Sequence, residues 1–227
     1  MQIESILAFL SDLSQNNIRE WFAANKDRYE QTRAQFEALS TELIAGIAAF
    51  DPEIRHLDVK DCVFRIYRDT RFSKDKTPYK THYGVFIAAG GGRKSIRSGY
   101  YLHLDPAGCF VATGVWCPPP DLLKVLRQSI FDNIEELREI INQEEFSKTF
   151  NGGFYQEDKL KTAPKGFPAD FPEIDLLKLK HYMVEHKPGD EILKSDNFVD
   201  HVCNICQTAY PLNVFLNYTV DEFTAKK

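Results

Sequence analysis

A dense pattern of cysteines is missing from this chain: Cys62, Cys109, Cys117, Cys203 and Cys206 form an odd set across 227 residues, with Cys203-x-x-Cys206 its one close pair. That excludes a secreted disulfide framework and makes a reducing, cytoplasmic setting the expectation. Also missing is any apolar run approaching the roughly 20 residues that cross a bilayer, so no membrane partner is expected. The opening MQIESILAFLSDL lacks a basic segment and carries Glu4 and Asp12, so it reads as an amphipathic helix and not as a signal peptide. No serine nucleophile elbow, zincin motif, EF-hand loop, repeat or low-complexity tract occurs. Gly90-Gly91-Gly92-Arg93-Lys94-Ser95 fails the phosphate-loop pattern, because no glycine directly precedes the lysine and no helix follows. It reads as a hairpin turn, mobile enough for Arg93 and Lys94 to close over an anion.

What is present is a basic island in an acidic protein. Between residues 65 and 80 stand Arg65, Arg68, Arg71, Lys74, Lys76 and Lys80 against Asp69 and Asp75, with Tyr67, Phe72 and Tyr79 interleaved. The stretch carries +4 while the whole chain carries −5, so the remainder carries −9. A confined patch of one sign is a candidate anion site.

The hydrophobic pattern supplies the scaffold. Ile3, Ile6, Leu7 and Leu10, then Phe36, Leu39, Leu43, Ile44 and Ile47, repeat at the helical period, and Asp51-Pro52 stops the second run. Cys62 to Tyr67, Tyr83 to Ala89, Gly99 to Asp105 and Cys109 to Trp116 read as strands, the last three as a meander. Pro118-Pro119-Pro120 opens a helix, and another covers about 132–150. The aromatic passage from Asn151 to Pro172 is a loop expected to pack on the body, His181 to Glu185 is a candidate strand, and Asp196 to about Leu216 a final helix. The expectation is an α+β fold, a mostly antiparallel central sheet flanked by N-terminal and C-terminal helices, in one domain over 1–227: helical over 1–51, sheet-rich over 58–117, helix and loop over 118–227.

On a strand from Cys62, Arg65 projects from a rigid platform, and the basic residues after it crowd the loop beyond. Guanidinium forks and lysine ammonium groups suit phosphate or carboxylate oxygens. The candidate ligand-binding residues are therefore Arg65, Arg68, Asp69, Arg71, Lys74, Lys76, Tyr79 and Lys80, with Asp69 orienting Arg68 or Arg71. Asp69 and His103 are the candidate catalytic groups, since His103 shares a strand face with Tyr101 and Asp105 and lies near His82. Whether catalysis occurs is left open. Cys203 and Cys206 sit mid-helix, where a thiol stays inert, and no metal site is expected. The leading reading is an intracellular protein holding a small phosphate- or carboxylate-bearing ligand. Nucleic-acid binding through the same basic and aromatic residues comes second, opposed by a pI near 5.7 and the lack of a second basic stripe. A non-catalytic protein-interaction module comes third. Neither a cofactor nor an oligomeric state is specified by these residues.

The order Arg65, Arg68, Asp69, Arg71, Phe72, Asp75, Lys76, Tyr79 resembles the signature of a bacterial family of about this length, the domain of unknown function 2461 family. The likeness extends to Asn16-Asn17, Trp21-Phe22, Asn25-Lys26 and Tyr29, to Gly91 through Ser95, to Gly99 through His103, and to Pro211-Leu212-Asn213 with Phe215-Leu216-Asn217. The resemblance implies that the island belongs to the family's site, and implies no reaction.

Overall fold

A computed structural model describes residues 2–226 apart from Gly152. Its architecture is α+β, as the hydrophobic pattern predicts. Helices α1 (Gln2–Gln15), α2 (Arg19–Ala24) and α3 (Lys26–Ile47) come first, followed by a 3-10 turn at Pro52–Ile54 and the single-turn α4 (Val59–Cys62). Asp51 caps the 3-10 turn, its side chain accepting from the Glu53 amide, and the proline that follows needs no amide partner. Strands β1 (Tyr83–Ile87), β2 (Gly99–Leu104), β3 (Phe110–Val115) and β4 (Tyr182–His186) then form one antiparallel sheet in that order. Between β3 and β4 run α5 (Pro120–Asp132), α6 (Ile134–Ile141), α7 (Glu144–Thr149) and α8 (Ile174–Leu177), and after β4 come α9 (Asp190–Leu193) and α10 (Phe198–Ala225).

Side chains alternate across a strand, so each rank of paired residues faces one way. Val85, Leu102 and Val111 form one buried rank, and Ile87, Tyr100, Thr113 and Val184 form another. These ranks face the helices, with α10 packed on β3 and α3. Phe131 meets Phe167 and Phe171 at ring separations of 5.5 and 4.8 Å, which fastens the aromatic loop to α5.

Three local expectations need correction. Cys62 to Tyr67 is not a strand: Cys62 ends α4, and the extended chain beyond makes only isolated bridges, Val63 to Val85 and Tyr67 to Tyr79. The Arg68 amide donates to the Pro78 carbonyl and the Lys80 amide to the Ile66 carbonyl, but Pro78 has no amide, so the pairing does not extend past Arg68. The connection after β1 is not a simple hairpin turn. Gly90, Gly91 and Gly92 all take left-handed φ values of 79°, 118° and 57°, and Gly92–Lys94 makes a 3-10 turn. A Cβ on Gly92 would stand 2.7 Å from the Asp61 carbonyl oxygen, so the close docking of this turn on α4 needs glycine. The last helix also runs past Leu216 to Ala225, through Pro211. An interior proline costs about 3 kcal/mol. Full burial of Leu212, Leu216 and Val220 in the same stretch, each worth about 1.5–3 kcal/mol, outweighs it.

Candidate functional site

The sheet has a second face that no helix covers. Ranks Phe86–Tyr101–Ala112–Glu185, Gly84–His103–Phe110 and Gly99–Gly114–Met183 lie on it. Small residues at 84, 99, 112 and 114 hollow this surface, and every residue of the three ranks except Gly84 lines a cavity of about 670 Å³. Its walls come from Phe64 and Lys80 on one segment, Arg93, Ser95, Ile96 and Arg97 in the β1–β2 connection, and Trp116 and Tyr155 near β4. A second, more open depression of about 960 Å³ adjoins it, sharing His103, Phe110, Tyr155 and Glu185 and adding Asp105, Phe154, His186 and Lys187.

Inside the first cavity the cations differ in how they are engaged. Arg97 is paired with Glu53 at 2.5 Å and Asp221 at 3.3 Å. Arg93 donates through one terminal nitrogen to the Lys60 carbonyl and, at 3.2 Å, to that of Val63, so it is engaged with the segment at the end of α4. Neither carbonyl neutralises its charge. Lys80 is half-buried, with its ammonium 5.2 Å from the centre of the Phe64 ring and no carboxylate within 4 Å among the described residues. Burial, reinforced by Arg65, holds its pKa below the ordinary lysine value.

Where the two cavities meet stand His82, His103 and Asp105. His82 precedes β1 and Asp105 follows β2, so the register brings them together beside His103. His82 Nδ1 lies 3.9 Å and His103 Nε2 3.8 Å from Asp105 Oδ2. Those separations are too long for hydrogen bonds, so Asp105 does not orient His103 as the sequence spacing suggests. The Tyr101 hydroxyl does, at 2.9 Å from His103 Nδ1. A Cβ on Gly84 would stand 2.6 Å from that hydroxyl, so the glycine supplies the space in which Tyr101 lies. Desolvation pushes His82 down to about 4, with His103 and Lys80 adding to the effect, and it lowers His103 as well; both are neutral imidazoles near pH 7. Burial raises Tyr101 to about 12, so it stays a phenol.

The basic island is divided by the fold. Arg68 reaches Asp75 at 2.5 Å and Thr77, while Arg71 grips Asp69 through two nitrogens at 2.9 and 2.6 Å. The two arginines thus turn to separate carboxylates of one exposed loop, and neither lines a cavity described above. Lys76 donates to the Thr70 carbonyl, Lys74 is exposed, and Phe72 at the tip is 96% exposed with Arg71 beside its ring. Arg65 is exposed and close enough to press on Lys80. Tyr79 is a packing residue: it is 7% exposed and stacked on Phe22 at 3.9 Å, and its amide and carbonyl are both held by the Asn17 side chain at 3.1 and 2.9 Å. Of the eight expected ligand-binding residues, Lys80 alone lines the open-face cavity. The thiols of Cys203 and Cys206 are pushed up by burial, Cys203 to about 11.

Sequence reasoning missed Phe86, Phe110, Trp116, Tyr155 and Glu185 as cavity residues, because they face together only after the strands pair. Alternation within each strand would have grouped them by face, but not by neighbour. Trp116, 54% exposed, stacks on His181 at 4.1 Å and meets Tyr155 edge-on. His181 Nδ1 accepts the Cys117 amide. Asparagines do further stitching: Asn217 holds both the amide and the carbonyl of Ser98, at 2.7 and 3.1 Å, and Asn213 accepts from the Ser98 and Thr113 hydroxyls.

The chain matches, over residues 5–215, a family whose description is conserved hypothetical protein (DUF2461). No curated protein and no solved structure matches.

Proposed function

The chain belongs to that conserved hypothetical family, whose description carries no activity, and from the open face of the sheet we propose that it binds a small anionic ligand with an apolar or aromatic body. Lys80 carries this reading: a half-buried ammonium in a cavity wall with no carboxylate partner among the described residues. Arg65 strengthens the field from outside, and Arg93 supplies a second cation with no carboxylate within 4 Å among the described residues. Phe64, Phe86, Tyr101, Phe110, Trp116 and Tyr155 give the wall its apolar character, which suits a ring or acyl body attached to a phosphate or carboxylate. Arg65, Arg68, Asp69, Arg71, Lys74 and Lys76 shape the neighbouring segment and add to the local field, while Lys80 alone of the island meets the ligand.

The test is a thermal-shift titration with benzoate, phenyl phosphate and inorganic phosphate, because a ligand that binds only the folded state raises its stability. Phenyl phosphate should stabilise the protein more than inorganic phosphate does. Lys80→Met should weaken the effect roughly tenfold or more, the size expected for losing one charge-assisted contact. The exposed Phe72 and its basic neighbours favour a second reading, stacking on single-stranded nucleic acid. Tight oligonucleotide binding with a steep salt slope, lost in Phe72→Ala, together with no response to the aryl anions, would replace the small-ligand reading.

A further inference from the structure

We propose that His82, His103 and Asp105 form a binding site for one divalent transition-metal ion, such as zinc or ferrous iron, at the junction of the two cavities. One ligand atom from each of the three lies within 4.8 Å of the other two. Around an ion bound at about 2.0–2.2 Å, neighbouring ligand atoms stand roughly 3.3–3.5 Å apart in a tetrahedron. The measured 3.8 and 3.9 Å to Asp105 Oδ2 exceed that by about half an ångström, a contraction that small side-chain rotations supply.

The surroundings are those of ligands held for a purpose. The Tyr101 hydroxyl engages His103 Nδ1, which fixes the ring and leaves Nε2 directed at Asp105. An outer partner on the second ring nitrogen is the usual companion of a metal-bound histidine. The two oxygens of Asp105 are likewise divided: Oδ1 accepts the Ala107 amide at 2.8 Å, whereas Oδ2 faces both imidazoles and accepts only a long contact, 3.5 Å, from the Thr81 hydroxyl. The carboxylate is therefore anchored by one oxygen and offers the other. Two imidazoles and one carboxylate are a donor set for zinc or ferrous iron, not for calcium or magnesium, which prefer oxygen throughout.

Three ligands leave coordination positions open. His82 lines the first cavity, Asp105 the second, and His103 both, so those positions face the space where a ligand would sit. The metal site stands independently of the anion reading, because its test uses the metal alone.

Zinc should bind the purified, chelator-treated protein at one equivalent in competition with a chromophoric chelator. A double variant His82→Ala/Asp105→Asn should lose this equivalent, and Tyr101→Phe should weaken it roughly tenfold, within the 10–100-fold range for an outer partner. Cobalt bound in place of zinc should show the weak visible bands of nitrogen and oxygen ligands, without intense thiolate charge-transfer absorption. Thermal unfolding without metal reports whether each variant is folded; should the double variant fail to fold, His82→Gln serves in its place and carries the same expectation. Absence of a stoichiometric zinc equivalent, or one that persists undiminished in a folded variant, would overturn the assignment. Lys80→Met should retain zinc, so loss of anion binding and loss of metal binding are read separately.

Discussion

Loop 68–77 sets its cations against its own carboxylates, Arg68 on Asp75 and Arg71 on Asp69, in open contact with water. On the open face of the sheet, Lys80 and Arg93 stand half-covered with no carboxylate within ion-pairing distance among the described residues. The same residue types thus serve opposite ends. In the loop the two arginine charges are met by neighbouring carboxylates and define a shape, and exposed pairs of this kind contribute little energy. In the cavity the charge is unbalanced where the surroundings screen it less, which is the condition for attracting an anion. Charge density along the sequence therefore does not tell which charges the fold leaves without a partner in space.

The loop is held at its root more than along its length, so the largest stability effect should come from cutting that root. Asn17→Ala removes the side chain that meets both the amide and the carbonyl of Tyr79. Stranding buried backbone groups costs about 1–3 kcal/mol, or roughly 2–4 °C in Tm per kcal/mol for a chain of this size. Thermal unfolding should show a loss of several degrees, and an unchanged Tm would refute the root. The open face can be disturbed next. Gly84→Ala places a methyl group against the Tyr101 ring, with its hydroxyl 2.6 Å away, and overpacking of this kind costs about 1–3 kcal/mol. It should also shift the His103 ring resonances, because Tyr101 must leave Nδ1; resonances that stay put would mean the strand absorbs the methyl group.

Within the loop the effects should be smaller. Arg71→Ala removes only an exposed pair with Asp69, so Tm should move by less than about 1 °C and phenyl phosphate binding should hold within about twofold. A larger loss of binding would return the site to the loop. The smallest effect is one of pH. The Thr77 amide, Arg68 and the Thr77 hydroxyl hold Asp75 at about 2, below the ordinary 3.8. A depressed carboxylate contributes its stability in full above the unfolded value and loses it as pH falls through the folded one. The Thr77 amide resonance should therefore stay constant down to about pH 4 and move as the pH falls toward 2. Movement centred near 4 would mean that the pairing does not form.

How far the site could be read in advance depends on the range of the interaction. Tyr101, His103 and Asp105 alternate on one strand, so their common face is a property of the strand period, and it is legible from spacing alone. His82 joins them through the pairing of Tyr83 with Leu104, a long-range register that no local pattern encodes. The aromatic lining from Phe64 to Tyr155 belongs to the same class. Arg68 and Arg71 misled for a related reason: their partners Asp75 and Asp69 were visible, but only folded geometry decides whether nearby opposite charges meet or face a ligand.

By itself the sequence determined the α+β class, the second, third and fourth predicted strands and their meander, the amphipathic helices and the change of texture near residue 118, because each follows from local periodicity and turn chemistry. Tertiary structure decided the rest. It left Val63 to Tyr67 outside the sheet, tied to Val85 and Tyr79 only by isolated bridges. It carried α10 through Pro211, because burial along its apolar face outweighs the missing hydrogen bond. It paired Arg68 and Arg71 with carboxylates of their own loop and left Lys80 without a carboxylate within 4 Å among the described residues, because those outcomes depend on which groups meet across the fold, a relation that spacing along the chain does not contain.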